Sequence, residues 1–282
     1  MRLGDFEVYR DLLLQESGVD INPEKTYLLE SRLTPIVSKW GYPTIESMTL
    51  ALRAVPDPQL IHDVVQAMTS NETWFYRDQY NYVTLNEFAL PYLLKQRKRE
   101  RALRLWSVGC ATGQEAWCMA MVTQDFLLEH KRWKYEILAT DISNESLEYA
   151  ARGIYNQHEA QSETSIRQLI RYFEQSRMGW NVKDALRGNV RFINANLLHE
   201  TEDFERFDVI FCCNVINAFS PEARARALDN LAYHLADDGF LFIGNEDQWE
   251  DDTGLFVPLP GHPGVLLLSD GDYKTADFPR AE

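Results

Sequence analysis

The sequence predicts an α/β domain built on a mostly parallel sheet, preceded by a small all-helical unit. Three observations carry this. Residues 1–70 place apolar side chains at helical spacing only. After residue 100, short apolar or β-branched runs alternate with longer helical stretches, the pattern that lays helices on both faces of parallel strands. Glycine-rich or polar segments follow those runs, where such sheets take their ligands.

The helical unit is read in order. Phe6, Tyr9, Leu12, Leu13 and Leu14 recur near a period of 3.6, as do Tyr27, Leu28, Leu29, Leu33, Ile36 and Val37. Asn22-Pro23-Glu24 looks like a helix start, with proline in the first turn. Gly41 marks a stop just past Lys39 and Trp40. Pro56-Asp57-Pro58 breaks the pattern, and a further helix is expected over Gln59–Met68. The later strands are expected at Leu103–Val108, Tyr135–Thr140, Val190–Asn194, Phe207–Cys212 and Phe240–Ile243. The helices between and around them are expected at Gln114–His130, Ser143–Ala151, Ser165–Phe173 and Pro221–Ala236. Leu255–Leu259 and Val265–Leu268 flank Pro260-Gly261-His262-Pro263-Gly264, which suggests a hairpin closing the sheet edge. The expected division is therefore a helical domain at 1–70, a linker with a ligand-contacting helix at 71–100, the α/β domain at 101–270 and a loose acidic tail at 271–282.

Composition excludes several classes. The 282 residues carry 28 Lys+Arg against 43 Asp+Glu, a formal net charge of −15. Binders of nucleic acid set Lys and Arg against phosphates, so the charge argues against a sequence-independent nucleic-acid binder. The same charge argues against docking on an anionic membrane. Met1 to Glu7 is charged and has no apolar signal region, and no apolar run approaches the ~20 residues of a membrane helix. Cys110, Cys118, Cys212 and Cys213 form no C-x-x-C motif and no histidine joins them at zinc spacing, so no metal site is expected. They read as small buried residues of a reducing cytoplasm.

The strand ends carry the chemistry. After the first strand comes Gly109-Cys110-Ala111-Thr112-Gly113-Gln114-Glu115, opening straight into a helix. Such a turn lets the backbone approach a nucleoside closely, although a plain tight turn would look the same. It is neither a Walker A loop nor G-x-G-x-x-G. Glu115 falls in the first helical turn, where capping alone would explain it. After the second strand, Asp141 either accepts both hydroxyls of a ribose or caps the next helix; Ser143 is the better cap. Asn196 and Leu197 follow the third strand, and Asn214 and Val215 the fourth. Together these describe an adenosine site. An acid at the second strand with no Lys or Arg in the first loop suggests a nucleoside without phosphate, a description that S-adenosylmethionine fits.

Several strings stand in an informative order: Ser70-Asn71-Glu72-Thr73-Trp74-Phe75-Tyr76-Arg77-Asp78, Leu105-Trp106-Ser107 through Gly113, Ala139-Thr140-Asp141-Ile142-Ser143, Gly153-Ile154-Tyr155, Asn196-Leu197-Leu198 and Phe207 through Val215. In this order and spacing the chain resembles the chemotaxis receptor glutamate methyltransferases, the CheR family, over about residues 5–245. The resemblance implies a helical N-terminal domain joined to a Rossmann-like methyltransferase domain. It implies methyl transfer from S-adenosylmethionine, with S-adenosylhomocysteine as product, to glutamate carboxylates of chemoreceptor-like cytoplasmic helical domains, by a cytoplasmic monomer that inserts into no membrane. Carried over by motif, Asn71, Thr73 and Arg77 reach the cofactor from the linker. Glu115, Asp141, Asn196, Leu197, Asn214 and Val215 line its pocket. Arg77 sits where donor meets acceptor and is the catalytic residue, unless it pairs with Asp78 at the surface. Trp74, Phe75 and Tyr76 are expected to pack rather than touch substrate.

The chain departs from the family at Cys213, usually Arg, and at Ala218, usually Tyr. These departures define an alternative: a weak or inactive S-adenosylmethionine-binding scaffold or sensor in a chemosensory-type pathway. Methylation of an amine is disfavoured, because Asn214-Val215-Ile216-Asn217 lacks the Pro-Pro-aromatic pattern common in those enzymes. The segment Gln175–Gly188, where the family has a small β-subdomain that docks receptor tails, offers only the scattered glycines Gly179 and Gly188.

Overall fold

A computed structural model describes residues 1–68, 72–199, 204–245, 247 and 253–279. The chain forms two compact units, Met1–Ser70 with Asn217–Arg226, and Asn71–Ile216 with Ala227–Glu282.

The first unit is helical: α1 (Leu3–Ser17), α2 (Thr26–Lys39), α3 (Ile45–Ala54) and α4 (Pro58–Met68). Phe6, Tyr9, Leu13, Leu29, Leu33, Met48, Leu60 and Val64 form its buried stripe, as the helical spacing requires. Local chemistry sets the boundaries. Asn22 caps the short 3-10 turn Pro23–Lys25 by accepting from the Glu24 N–H, and Thr44 and Ser47 form a reciprocal capping box on α3. The Trp40 indole donates to Asp63 at 2.7 Å. Residues 217–226 join this unit through a bridge between Val19 and Phe219 and a bond from the Asp20 N–H to the Ala218 carbonyl at 2.9 Å.

The second unit opens with α5 (Gln79–Thr84), a single π turn (Leu85–Ala89) and α6 (Leu90–Gln96). Then follow β1 (Ala102–Val108), α7 (Gln114–Leu127), β2 (Lys134–Asp141), α8 (Asn144–Arg152), β3 (Ile154–Tyr155), α9 (Gln157–Gln161), α10 (Ile166–Tyr172), β4 (Phe173–Ser176), β5 (Gly179–Val182), α11 (Asp184–Arg187), β6 (Val190–Asn194), β7 (Phe207–Cys212), α12 (Pro221–His234), β8 (Leu235–Ile243), β9 (Phe256–Pro258) and β10 (Val265–Leu268). The main sheet has seven strands in the order β6-β2-β1-β7-β8-β10-β9. β6 to β8 run parallel, and β10 pairs antiparallel with both β8 and β9. The expected α/β class and the closing hairpin are therefore present. The central strand β7 is buried along its whole length, which explains its apolar run from Val209 to Cys212; its one charged residue, Asp208, is paired with Arg97. Ser143 does cap α8, accepting from the Ser146 N–H.

Two expectations are corrected. β8 starts at Leu235 rather than Phe240, because Leu235 pairs with Phe207 before a register shift; α12 accordingly stops at His234. The segment Gln175–Gly188 is also more than scattered glycines. β3, β5 and β4 form a second, three-stranded sheet in that order. Its strands are short and only partly buried, so they show no alternation to read. Gly179, at φ +136°, lets β5 close on β3: an added Cβ would stand 2.4 Å from the Tyr155 carbonyl oxygen. Within the stretch expected to be loose, residues 271–279 carry a 3-10 turn at Thr275–Asp277. There Tyr273 donates to the Gly239 carbonyl at 2.6 Å, and Phe278 packs on Phe88 and Tyr92.

Candidate functional site

The carboxyl ends of β2, β1, β7 and β8 converge on one group of side chains. Past β1, the turn 109–113 is held by its conformations. Gly109 (φ +64°) faces Val215, whose Cγ2 would lie 2.6 Å from an added Cβ, and Gly113 (φ +93°) faces Ala150 at the same distance. Ala111 is also left-handed, at φ 46°. Its N–H donates to Asp141 Oδ2 at 2.8 Å, and the Ser143 N–H donates to Asp141 Oδ1 at 2.8 Å. Asp141 thus holds the turn after β1 against the turn after β2. Burial raises its carboxyl above the usual range, opposed by those backbone bonds. The Ile142 N–H is a third backbone partner, and a carboxylate offers about four acceptor sites, so room remains for a ligand hydroxyl. The Ala195 N–H donates to the Asp141 carbonyl at 3.1 Å, which sets Asn196 and Leu197 beside this tip. Asn196 Oδ1 accepts from the Leu198 N–H at 3.0 Å, and the Leu197 carbonyl accepts from Asn230 at 2.8 Å.

Glu115 turns inward rather than capping α7 alone. Ser107 of β1 donates to it at 2.7 Å, and the Cys213 thiol is a second partner. Burial pushes the Glu115 carboxyl up to about 7, with Asp78 and Asp247 adding in the same direction. Cys213 is half-buried and its thiol is pushed up, first by burial and then by Glu115.

Asn214 stands at φ 61° just past β7. Its N–H donates to Asp247 Oδ2 at 2.8 Å, as does the Gly244 N–H at 2.6 Å. Its side-chain Nδ2 donates to Asp78 Oδ2 at 3.1 Å, and the Asn245 N–H donates to Asp78 Oδ1 at 3.1 Å. The guanidinium of Arg77 lies over the Trp74 ring, 4.6 Å from its centroid, and Nη1 donates to the Glu72 carbonyl at 2.7 Å. Arg77 is close enough to counter the upward shift of Asp247. Phe75 and Tyr76 are core residues of this unit, while Trp74 is 43% exposed. Thr73 is half-buried in the same segment, and Asn71 lies outside the described residues.

The structure thus brings Arg77, Glu115, Asp141, Asn196, Asn214 and Val215 to adjacent strand tips. It adds Asp78, which the sequence offered only as a surface partner of Arg77, and Asp247 and Ser107, to which the sequence assigned no role. The end of β8 carried the same signal as the other strand ends, a polar run after an apolar one, and Asp247 lies in it. The donor set suits a cationic nucleoside: carboxylates line the tips and the turn after β1 has no cation for a phosphate. Among the described residues no group of His, Cys, Asp and Glu is arranged to hold a metal, and no helix is long and apolar enough to cross a membrane.

A mostly parallel sheet with this glycine turn and these acids at its tips fits the class of S-adenosylmethionine-binding methyltransferases. The family description "CheR methyltransferase, SAM binding domain" matches residues 71–264, and "CheR methyltransferase, all-alpha domain" matches residues 4–69. Chemotaxis protein methyltransferase Cher2 of Pseudomonas putida is 32% identical over 266 residues, covering 93% of this chain and 96% of the relative. Chemotaxis protein methyltransferase 1 of Pseudomonas aeruginosa gives the same identity and coverage. The chemotaxis protein methyltransferase of Vibrio parahaemolyticus is 31% identical, over 92% of this chain and 95% of its own length. The chain belongs to the CheR methyltransferase family.

Proposed function

We propose that this chain methylates glutamate side chains on the cytoplasmic helical domains of chemoreceptor-like proteins, acting in the cytoplasm as a monomer. The observation that carries the reading is Arg77, laid on Trp74 and tethered to the Glu72 carbonyl beside the acid-lined strand tips. A guanidinium in that place suits a carboxylate acceptor, which it can hold by a forked pair of hydrogen bonds.

S-adenosylmethionine supplies an electrophilic methyl group on a sulfonium and leaves as the neutral thioether S-adenosylhomocysteine. The acceptor needs no general base, because a glutamate carboxyl with pKa near ~4.3 is already ionised at neutral pH. The protein's task is then to align an anion with a sulfonium and exclude water. On this reading Asp141 accepts the ribose hydroxyls, Asn196 and Leu197 border the base, and Glu115, Asn214 and Val215 line the remainder. Thr73 and Asn71 approach from the linker, and Arg77 orients the acceptor.

The test is methyl transfer from labelled S-adenosylmethionine to the cytoplasmic domain of a chemoreceptor. Glutamyl esters release methanol in mild base; base-stable label would overturn the glutamate reading. Arg77→Ala is expected to lower transfer by about 100-fold or more while S-adenosylhomocysteine affinity changes less than tenfold. Full transfer by that variant removes Arg77 from the mechanism. Cofactor binding with no transfer to any receptor domain would instead support the scaffold reading, which no contact of Cys213 or Ala218 favours.

A further inference from the structure

The carboxylates around Asn214 carry an inference that rests on the cofactor reading above and deepens it. Asp78 occupies the N-cap position of α5, where an aspartate ordinarily accepts from the first helical N–H groups. Here it makes no capping bond and its backbone is left-handed, at φ 58°. Its two oxygens go instead to the Asn214 side chain and the Asn245 N–H, each at 3.1 Å. Asp247 accepts from the Asn214 and Gly244 N–H groups through Oδ2, while its Oδ1 is buried with no partner among the described residues.

A carboxylate only accepts hydrogen bonds. Asp78 therefore compels the Asn214 amide to turn its nitrogen toward α5, and the carbonyl oxygen is presented away from it. Gly244 completes the clamp. An added Cβ there would lie 2.6 Å from Asn214 Nδ2 and 3.0 Å from Oδ1, so the amide lies directly against that glycine. Tying α5 to the strand tips needs only the bond from Asn245. The further restraint on one amide is what a purely structural tie leaves without a purpose, since desolvating two acids is unfavourable.

We propose that Asp78 and Asp247 are positioning residues for methyl transfer, locking Asn214 so that its side-chain oxygen serves as acceptor for a hydrogen-bond donor of the cofactor. Asp78 acts through the Asn214 amide, so its effect vanishes when that amide is absent, whereas Asp247 holds the Asn214 backbone N–H from which the side chain projects.

A double-mutant cycle on the full chain tests this, with S-adenosylhomocysteine affinity measured by calorimetry. Asn214→Gly tolerates the left-handed backbone and removes the side chain with its amide. Asp78→Asn is isosteric but places a donor against one of the two N–H groups. Each single change is expected to weaken binding by about tenfold, and the double variant to bind no more weakly than Asn214→Gly alone. Asp78→Glu restores the charge and is expected to recover part of the loss. Additive losses, or unchanged affinity in Asp78→Asn, would overturn the proposal. Should Asp78→Asn fail to fold, Asp78→Ala, which removes the acceptor without adding a donor, is cycled against Asn214→Gly with the same criteria. A wild-type chain that binds S-adenosylhomocysteine but methylates no receptor domain overturns the glutamate reading and leaves the cycle readable; a chain that does not bind it overturns both.

Discussion

Glu115 shows how far a single position can be read. Its place in the first helical turn after a strand was visible in the sequence, but capping explained it equally well. The bonds from Ser107 and Cys213 are long-range facts that only the folded sheet supplies. They lead to a pH prediction. Burial raises the Glu115 carboxyl from 4.5 to about 7. Above about pH 7 its buried charge opposes folding. As pH falls from 7 toward 4.5, the native state binds the extra proton and stability from this group rises. The Glu115→Gln variant is expected to lose that slope in urea unfolding between pH 5 and 8. A cationic cofactor favours the ionised form, so affinity for S-adenosylmethionine is expected to rise with pH through about 7 and to flatten in the same variant. Asp141 and Asp247 are pushed in the same direction by burial and remain in it. Asp141 was legible because an acid ends a strand beside a better cap, Ser143. Its double tie to Ala111 and Ser143 was not, since it depends on a left-handed alanine. Asp141→Ala is expected to weaken S-adenosylhomocysteine binding by at least about tenfold in calorimetry; unchanged affinity would refute the ribose role.

Among the elements, the turn after β1 and the second sheet mark opposite limits of legibility. The turn announces itself by Gly109 and Gly113, and both adopt positive φ against packed neighbours. Gly113→Ala is expected to destabilise the fold by roughly 2–4 kcal/mol, combining left-handed strain with overpacking on Ala150. Gly41→Ala, also left-handed but with nothing within 4 Å of its Cβ, isolates the strain and is expected to cost about 1 kcal/mol. Urea midpoints of the two variants check the difference. The three-stranded sheet, by contrast, has strands of two to four residues. At that length a hydrophobic period has no room to appear, and Gly179 alone reads as any turn glycine.

At the scale of the whole chain, the order of elements was legible because long buried strands and capped helices repeat the same signal. The C-terminal hairpin could be expected, but not the insertion of β10 between β8 and β9, which depends on pairing across the sheet edge. The excess acidity divides by role. Some of it is spent at the strand tips, and some at the other end of the sheet. There Arg97 binds Asp208 at 2.7 Å and also Asp238, while Asp208 accepts from the Arg104 N–H at 2.8 Å. Arg97→Met is expected to destabilise the protein by about 3 kcal/mol, because two largely buried carboxylates lose their counter-ion. Thermal unfolding of the full chain checks this.

The helical run Gln79–Gln96 is pinned at both extremities, by Asp78 to the β7 and β8 tips and by Arg97 to their opposite ends. It is a gauge rod whose length must agree with the strands it lies along. The π turn at Leu85–Ala89 lies between the two anchors. Removing one residue there would shorten the rod by about 1.5 Å and rotate one anchor by about 100° against the other. Either the Arg97 end or the Asp78 end would then have to let go, so a one-residue deletion is expected to lower the urea midpoint more than point substitutions along the rod do.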